Sequence, residues 1–261
     1  MTDRYTFGDG DRAAARLRRL AELYEATTSE LILRGGCAGV AVAVDLGCGP
    51  GWSTRLLHDL LRPRRTLGLD GSARYVEQAQ RLQGSGMEFA VHDVSAAPFP
   101  VVPDLLLCRF LLTHLHDTAG VLAAWAAASA PGARLLIHET ESLTSPHPTL
   151  ARYYELVASL QRAYAQHLDV GARLDGALAG SPWRVHDSRA VRLEMPAKAM
   201  AELHLANLRT WRDDDHARRA FDPLELDRLE GSLDRIVAGV EDAGVAVNVV
   251  RQVVAEREAE G

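Results

Sequence analysis

The chain has 261 residues, 29 basic against 35 acidic side chains, a formal net charge of -6 and 47% apolar residues. That length holds one large α/β domain, or one domain with a sizeable insertion, and the apolar fraction excludes a disordered polymer. The acidic balance argues against a sequence-independent grip on nucleic acid, which needs a basic face to neutralise phosphates.

Lys198 is the one lysine, so the basic residues are almost all arginine, a pattern that reads as high-GC coding rather than as a binding surface. Met1–Gly10 lacks the apolar core of a signal peptide, and no apolar run reaches the roughly 18 residues of a membrane span. The expectation is a cytoplasmic protein without a membrane partner. Cys37, Cys48 and Cys108 show no C-x-x-C spacing, so free thiols are expected rather than a disulfide framework or a zinc site.

In chain order, Asp11–Leu33 carries Leu17, Leu20, Leu23 and Tyr24 at helical spacing, and Gly35-Gly36 ends that helix. Val40–Val44 is an apolar run too short for a helix; it leads through a glycine-rich turn into the helical stretch Trp52–Leu61. The alternation continues with Thr66–Leu69 and Ala73–Leu82, Met87–Val91 and a loop, Asp104–Cys108 and Ala119–Ala128, then Arg134–Ile137 after the turn Pro131-Gly132. Such alternation implies a doubly wound, mostly parallel sheet with helices on both faces. After Glu139 the pattern changes. Thr144–Thr149 is breaker-rich, and Leu150–His167, Ala172–Ala179, Ala197–Trp211 and Leu224–Val240 read as helices, with strands at Trp183–Leu193 and Val245–Val254. The divisions expected are a helical cap over 1–36, a cofactor-binding core over 37–142, a helical lid over 143–244 that includes the strand 183–193, and a final strand in 245–261 that completes the sheet.

The most informative stretch is Asp45-Leu46-Gly47-Cys48-Gly49-Pro50-Gly51 between a strand and a helix. Glycines there let backbone approach a ligand and turn into a helix N-terminus whose N–H groups are free. A dinucleotide fingerprint is G-x-G-x-x-G; here the third glycine comes one place early, and Asp45 suits a cationic ligand better than a pyrophosphate. Asp70 ends the second strand, about 20 positions after the first loop glycine, where an acid in these folds accepts ribose hydroxyls. Asp93 follows the third strand, where a loop acid can accept from an adenine amino group. Three successive strand ends with an acid each converge on one crevice in an open α/β sheet.

Val44-Asp-Leu-Gly-Cys-Gly-Pro-Gly51, Leu67-Gly-Leu-Asp70, His92-Asp-Val94 and Pro131-Gly-Ala-Arg-Leu-Leu-Ile137 resemble, in order, the landmarks of class I S-adenosylmethionine-dependent methyltransferases of the small-molecule, ubiquinone/menaquinone-methyltransferase-like type. The resemblance covers roughly Val40 to Glu139. It implies a seven-stranded Rossmann-like sheet with an antiparallel last strand and a helical substrate lid. It also implies S-adenosylmethionine as cofactor, with S-adenosylhomocysteine as product. By the same resemblance Asp45, Gly47, Cys48 and Gly49 surround the methionine part, Asp70 with Gly71 and Ser72 holds the ribose, and Asp93 and Val94 hold the adenine. Cys108-Arg109-Phe110 lines the sulfonium pocket, and Tyr5–Arg12 resembles a segment that closes over the site, with Tyr5 toward the cofactor and Phe7 toward the substrate.

Methyl transfer asks little of side chains, since in-line geometry in a desolvated pocket supplies much of the rate. Candidate bases are His138 and Glu139, which fall at the crevice, and His114. Catechol-type members place an Asp-Asn pair after the fifth strand to hold magnesium; His138-Glu139-Thr140 stands there, so no metal is expected. Cys108-Arg109-Phe110-Leu111 replaces the Asn/Asp-Pro-Pro-aromatic motif of nucleic-acid amino-methyltransferases, which points to a small-molecule partner and no nucleic acid. The acceptor is expected to be an apolar or aromatic metabolite, a natural product among the options, methylated at O, N or C. Tyr153, Tyr154 and Trp211 are the candidate contacts in the lid. A nicotinamide-dependent oxidoreductase on the same fold and a catalytically silent cofactor-binding regulator stay open as alternatives, as does monomer against homodimer.

Overall fold

The computed structural model describes residues 11–36 and 39–258. A long first helix, α1 (Asp11–Gly35), precedes an alternating β/α half. That half runs through β1 (Val42–Leu46), α2 (Trp52–Leu61), β2 (Arg65–Asp70), α3 (Ala73–Ala79), β3 (Met87–Val91), β4 (Leu105–Arg109), α4 (Thr118–Ala128) and β5 (Arg134–Thr144). The second half contributes α5 (Pro148–Ala163), α6 (Leu174–Ala179), β6 (Trp183–Pro196), α7 (Ala197–Trp211), α8 (Asp215–Ala220), α9 (Pro223–Val237) and β7 (Val245–Arg257).

The strands form one seven-stranded sheet in the order β3-β2-β1-β4-β5-β7-β6. β1 pairs in parallel with β2 and β4, and β4 in parallel with β5, whereas β7 runs antiparallel between β5 and β6. This is the expected doubly wound architecture with its antiparallel last strand. Strand parity sorts the core into two layers. Ala43, Leu105, Leu107 and Leu136 face α1 and α2, packed on Leu31, Ile32 and Leu57. Val44, Leu106, Leu135 and Ile137 face the other way onto Val121, Leu122 and Trp125 of α4.

A third cluster forms the lid. Tyr153, Leu156, Val157 and Leu160 of α5 pack with Met200, Leu203 and Leu208 of α7 and Leu229 and Leu233 of α9, closed against Tyr24 of α1 and Val250 of β7. α1 therefore belongs to both halves: its C-terminal part lies on the sheet, where a Cβ on Gly35 would stand 2.3 Å from Leu136, and its N-terminal part meets the lid. Between the expected lid helices at Ala197–Trp211 and Leu224–Val240 stands a further short helix, because the Asp214 carboxylate accepts from the N–H groups of His216 and Ala217 and so starts α8.

β5 is longer than its apolar run suggests. The sequence pattern ends it at Ile137, yet pairing with β7 carries it through Thr140↔Val250 to Thr144↔Val247, with a register shift between Thr140 and Ser142. This moves the crevice past His138 and Glu139, which become mid-strand residues.

Candidate active site

The carboxyl ends of β1, β2, β4 and β5, the first half of α1 and the inner faces of α5 and α7 enclose a cavity of about 190 Å3. The sheet side contributes Gly47, Cys48, Gly49 and Asp70, with Tyr75 of α3; α1 contributes Arg16, and α5 and α7 contribute Tyr153, Gln161, His204 and Asn207; Phe110, Leu111 and His114 lie on the turn after β4.

The glycine turn has the conformation its sequence predicts. Gly47, Gly49 and Gly51 take φ of 69°, 53° and 89°, in the left-handed region where a side chain is strained. A Cβ on Gly47 would meet Leu111 at 2.8 Å, so the turn and the β4 exit touch with no room for one. The Gly49 N–H donates to Asp70 Oδ2 and the Ser72 N–H to Oδ1, both at 2.8 Å. The Asp70 carboxylate is thus fixed at the cavity edge by backbone, and the Ser72 hydroxyl caps α3 by accepting from Tyr75 N–H. Gly47, Gly49 and Asp70 fit a ribose-bearing cofactor: a cradle that only glycine backbone can form stands beside an oriented acceptor.

Asp45 has a different place. It is buried beneath the turn, where Ser53 Oγ and Thr54 Oγ1 of α2 donate to its Oδ2 at 2.7 and 2.6 Å. Burial pushes its pKa up from 3.8 to about 6 against those two hydrogen bonds. It ties the strand end to the start of α2 and does not line the cavity. Asp93 is exposed, with Oδ1 accepting from the Ser95 N–H and hydroxyl, which hold its pKa below the usual value. Val94 is buried, and its carbonyl accepts from Trp125 Nε1 at 2.7 Å. Gly71, Ser72, Asp93, Val94 and Cys108 also stay off the cavity wall, so of the three acids only Asp70 reaches it.

The base candidates separate by strand parity. His138 points to the α1 layer and Glu139 to the α4 layer; both are 0% exposed and neither borders the cavity. His138 Nδ1 lies 3.3 Å from Thr28 Oγ1, and burial lowers its pKa from 6.5 to about 3. Glu139 Oε1 accepts the N–H groups of Leu111 and Leu112 at 2.7 and 2.8 Å and faces the Cys108 thiol at 3.6 Å. Burial raises Glu139 from 4.5 to about 7, and Cys108 is also pushed up by burial. The expectation of a base at His138 or Glu139 is corrected by this placement: both hold the β4 exit turn from beneath. That turn is strained. Phe110 has φ 51°, its N–H donates to the His138 carbonyl at 3.0 Å, and its ring packs 4.9 Å from Tyr24 and 5.1 Å from the His138 ring.

His114 does line the cavity, half-buried, its pKa lowered to about 4 by burial and by the nearby Arg16 charge. Arg109 also lines it; its Nη1 lies 3.4 Å from Thr28 Oγ1, its guanidinium stands 5.6 Å from the Phe110 ring centre, and burial lowers its pKa. Of the lid candidates, Tyr153 reaches the cavity, whereas Tyr154 and Trp211 are core: Tyr154 hydroxyl meets His204 Nε2 at 3.2 Å, and Trp211 is fully buried against Tyr153 and Phe221. Tyr5 and Phe7 lie outside the described residues.

Several lining residues escape sequence reading. Arg16 is only 9% exposed and donates to Asn207 Oδ1 at 2.6 Å. Tyr24, whose hydroxyl accepts from Asn248 Nδ2, closes the cavity from α1. The available signal was spacing: Tyr153, Val157 and Gln161 share one face of α5, and Met200, Leu203, His204 and Asn207 one face of α7. Among the described residues no cluster of three or more His, Cys, Asp or Glu side chains is arranged to hold a metal, and no helix is long and apolar enough to cross a membrane.

Residues 43–132 match the model of a methyltransferase domain. A trans-aconitate 2-methyltransferase of Methylobacterium nodulans is 34% identical over 142 residues, 54% of this chain and 55% of that protein's length. Its counterpart in Methylobacterium radiotolerans is 29% identical over 232 residues, 82% of this chain and 83% of that protein. The chain thus spans about half the length of the first of these relatives and most of the second. Among solved structures, a phosphoethanolamine N-methyltransferase 2 of Haemonchus contortus in complex with phosphomonomethylethanolamine and S-adenosylhomocysteine shares the fold with TM-score 0.59 at 15% identity, covering 100% of this chain and 61% of that one. The methyltransferase domain match, the ordered landmarks around the glycine turn and the sheet order described above together identify a methyltransferase domain on a class I, Rossmann-like fold in this chain.

Proposed function

We propose that the chain transfers a methyl group from S-adenosylmethionine to a carboxylate oxygen of a small organic acid. The observation that carries this reading is Arg16, a guanidinium placed in the cavity wall on α1 and steadied by Asn207 of α7. Among the described residues the charged side chains lining the cavity are Arg16, Arg109 and Asp70, and the cofactor adds a positive sulfur beside its own ammonium and carboxylate, a net positive surrounding that favours an anionic acceptor. The relatives' names agree in naming a small acid as substrate.

When bound, the cofactor supplies a methyl group already activated on cationic sulfur. Gly47 and Gly49 offer backbone to its methionine end, and Asp70 offers an oriented acceptor to its ribose. Leu17, Leu20, Leu143, Met200 and Leu203 give the cavity apolar walls that exclude water around the reacting atoms. A carboxylate, with a pKa of about 4, is already ionised near neutral pH, so no base has to reach the acceptor. This accords with His138 and Glu139 lying under the floor. His114 remains in reach as a neutral imidazole for an acceptor that does carry a proton.

The test is incubation with S-adenosylmethionine and a panel of small carboxylic acids, trans-aconitate included, followed by mass spectrometry for the methyl ester. Arg16→Met should lower kcat/KM for the acid by about 30-fold or more, with cofactor affinity unchanged. Cofactor binding with methyl transfer only to neutral amines or alcohols overturns the acid reading. Cofactor binding without methyl transfer to any compound supports a silent regulator instead.

A further inference from the structure

The lid side of the cavity carries buried polar atoms to which the described residues give no partner. Gln161 is 1% exposed and lines the cavity, and its Oε1 finds no hydrogen-bond partner among the described residues. His204, 5% exposed, lines the same space; its ring stacks on Tyr153 at 4.3 Å and its Nε2 is taken by the Tyr154 hydroxyl, which leaves Nδ1 without a partner among the described residues. A buried polar atom without a partner is destabilising, and a chain keeps such atoms where something else satisfies them. α5 and α7 hold them rigidly: Tyr153, Val157 and Gln161 form one stripe, His204 and Asn207 the other, and both helices are packed behind by the lid core.

We infer that Gln161 and His204 form a second acceptor subsite, which takes an uncharged hydrogen-bonding group, a hydroxyl or a carboxamide, on the acid that receives the methyl. The inference rests on the carboxylate reading above. An amide and a neutral imidazole each offer donor or acceptor capacity, which matches a group that both gives and takes a hydrogen bond. A second carboxylate is disfavoured there because Arg16, held by Asn207, is taken by the first, neither α5 nor α7 brings a further charged side chain to the cavity, and an ion without its own counter-charge is costly to desolvate. The low basicity that burial gives His204 keeps the ring neutral and fits the same choice. The acceptor would thus differ in kind from a polycarboxylate: one group anionic at Arg16, another neutral and polar at Gln161.

The experiment is calorimetric binding to the full chain, saturated with S-adenosylhomocysteine, of matched compounds: an alkyl acid, its hydroxylated and carboxamide analogues, the uncharged methyl esters of all three, and trans-aconitate. The polar acid should bind at least about tenfold tighter than the alkyl acid. Gln161→Met, close to glutamine in volume, should reduce that ratio to about twofold while leaving S-adenosylhomocysteine and alkyl-acid affinity unchanged. Equal binding of polar and alkyl acids, or trans-aconitate binding as tightly as the polar acid and unaffected by Gln161→Met, overturns the subsite but leaves the carboxylate reading intact. Discrimination among the esters with no preference for the free acids refutes the carboxylate reading and retains the subsite. Binding of none refutes both. Melting temperature provides the structural control: a ligand-facing Gln161 leaves it unchanged or raised on replacement, and a marked drop with an unchanged binding ratio assigns Gln161 to lid stability and overturns the proposal.

Discussion

Replacing Glu139 with Gln separates a scaffold carboxyl from a catalytic base, because the two roles respond to pH in opposite ways. The side chain is fully buried, and its Oε1 accepts the Leu111 and Leu112 N–H groups, a task that a glutamine oxygen can also perform. Oε2 has no partner among the described residues, so ionisation places in the core a charge that the two N–H groups and the nearby Arg109 only partly offset. Burial accordingly raises the pKa from 4.5 to about 7. A carboxyl with a raised folded-state pKa costs nothing where both states are protonated, below about pH 4, and destabilises the fold increasingly as pH climbs through the unfolded and then the folded pKa. At about 1.4 kcal/mol per unit, the wild type forfeits about 3 kcal/mol by about pH 8. Glu139→Gln escapes that loss. Urea denaturation across this pH range should show the variant near wild-type stability in acid and about 3 kcal/mol more stable in mild alkali, with methyl transfer largely retained. A stability difference that does not change with pH refutes the argument from burial. Retained stability with turnover down by about a hundredfold or more would instead identify Glu139 as a base.

Other outcomes follow from the same geometry. His138 and His204, both lowered from 6.5 to about 3, stay neutral in the fold while the unfolded chain takes up protons below about pH 6.5, so stability falls on acidification; His138→Gln should lessen that slope by about 1.4 kcal/mol per pH unit, read from denaturation midpoints. Asp70→Ala should weaken S-adenosylhomocysteine binding by about 1.5–3 kcal/mol in calorimetry, and unchanged affinity in a folded variant would remove Asp70 from the cofactor site. Gly47→Ala places a Cβ at φ 69° and 2.8 Å from Leu111, and should cost at least about 1–2 kcal/mol of stability together with cofactor affinity; a variant with wild-type melting and binding would show that the turn has room to spare.

Much of the first half was legible because its signals are local. Val40–Val44 and its successors are short apolar runs buried on both faces, and the positive-φ glycines of the turn announce themselves by residue type. The site was less legible because the boundary of β5 is set from far away. Nothing within Arg134–Thr144 shows that β7, more than a hundred residues later, will extend it, so His138 and Glu139 read as strand-end residues facing a crevice. The lid posed a different difficulty. Tyr153 and Tyr154 are adjacent on α5, yet one meets the cavity and the other the His204 edge; which stripe faces inward depends on how α5, α7 and α9 pack, not on the helical period they share. Arg16 is similar: one arginine among several in α1, it is distinguished by burial and by Asn207 coming from α7 to meet it.

These displacements have a common physical cause. On the carboxylate proposal, the acceptor is already ionised and the donor already activated, so the reaction requires position and dryness from the protein rather than proton chemistry. Position at the β4 exit comes from polar groups one layer down. Glu139 gathers the Leu111 and Leu112 N–H groups, the His138 carbonyl takes that of Phe110, and Asp45 anchors the opposing glycine turn through Ser53 and Thr54. Each of these is a titratable or backbone group that sequence reading associates with chemistry, and each is buried with its hydrogen bonds directed at the loops that form the cavity wall. The strained Phe110 conformation persists because this network fixes the residues on both sides of it, which keeps Gly47 and Leu111 in contact and the cavity shape constant. On the subsite proposal, discrimination between acceptors then falls to the cavity-lining polar atoms without a partner among the described residues of the lid, Gln161 Oε1 and His204 Nδ1.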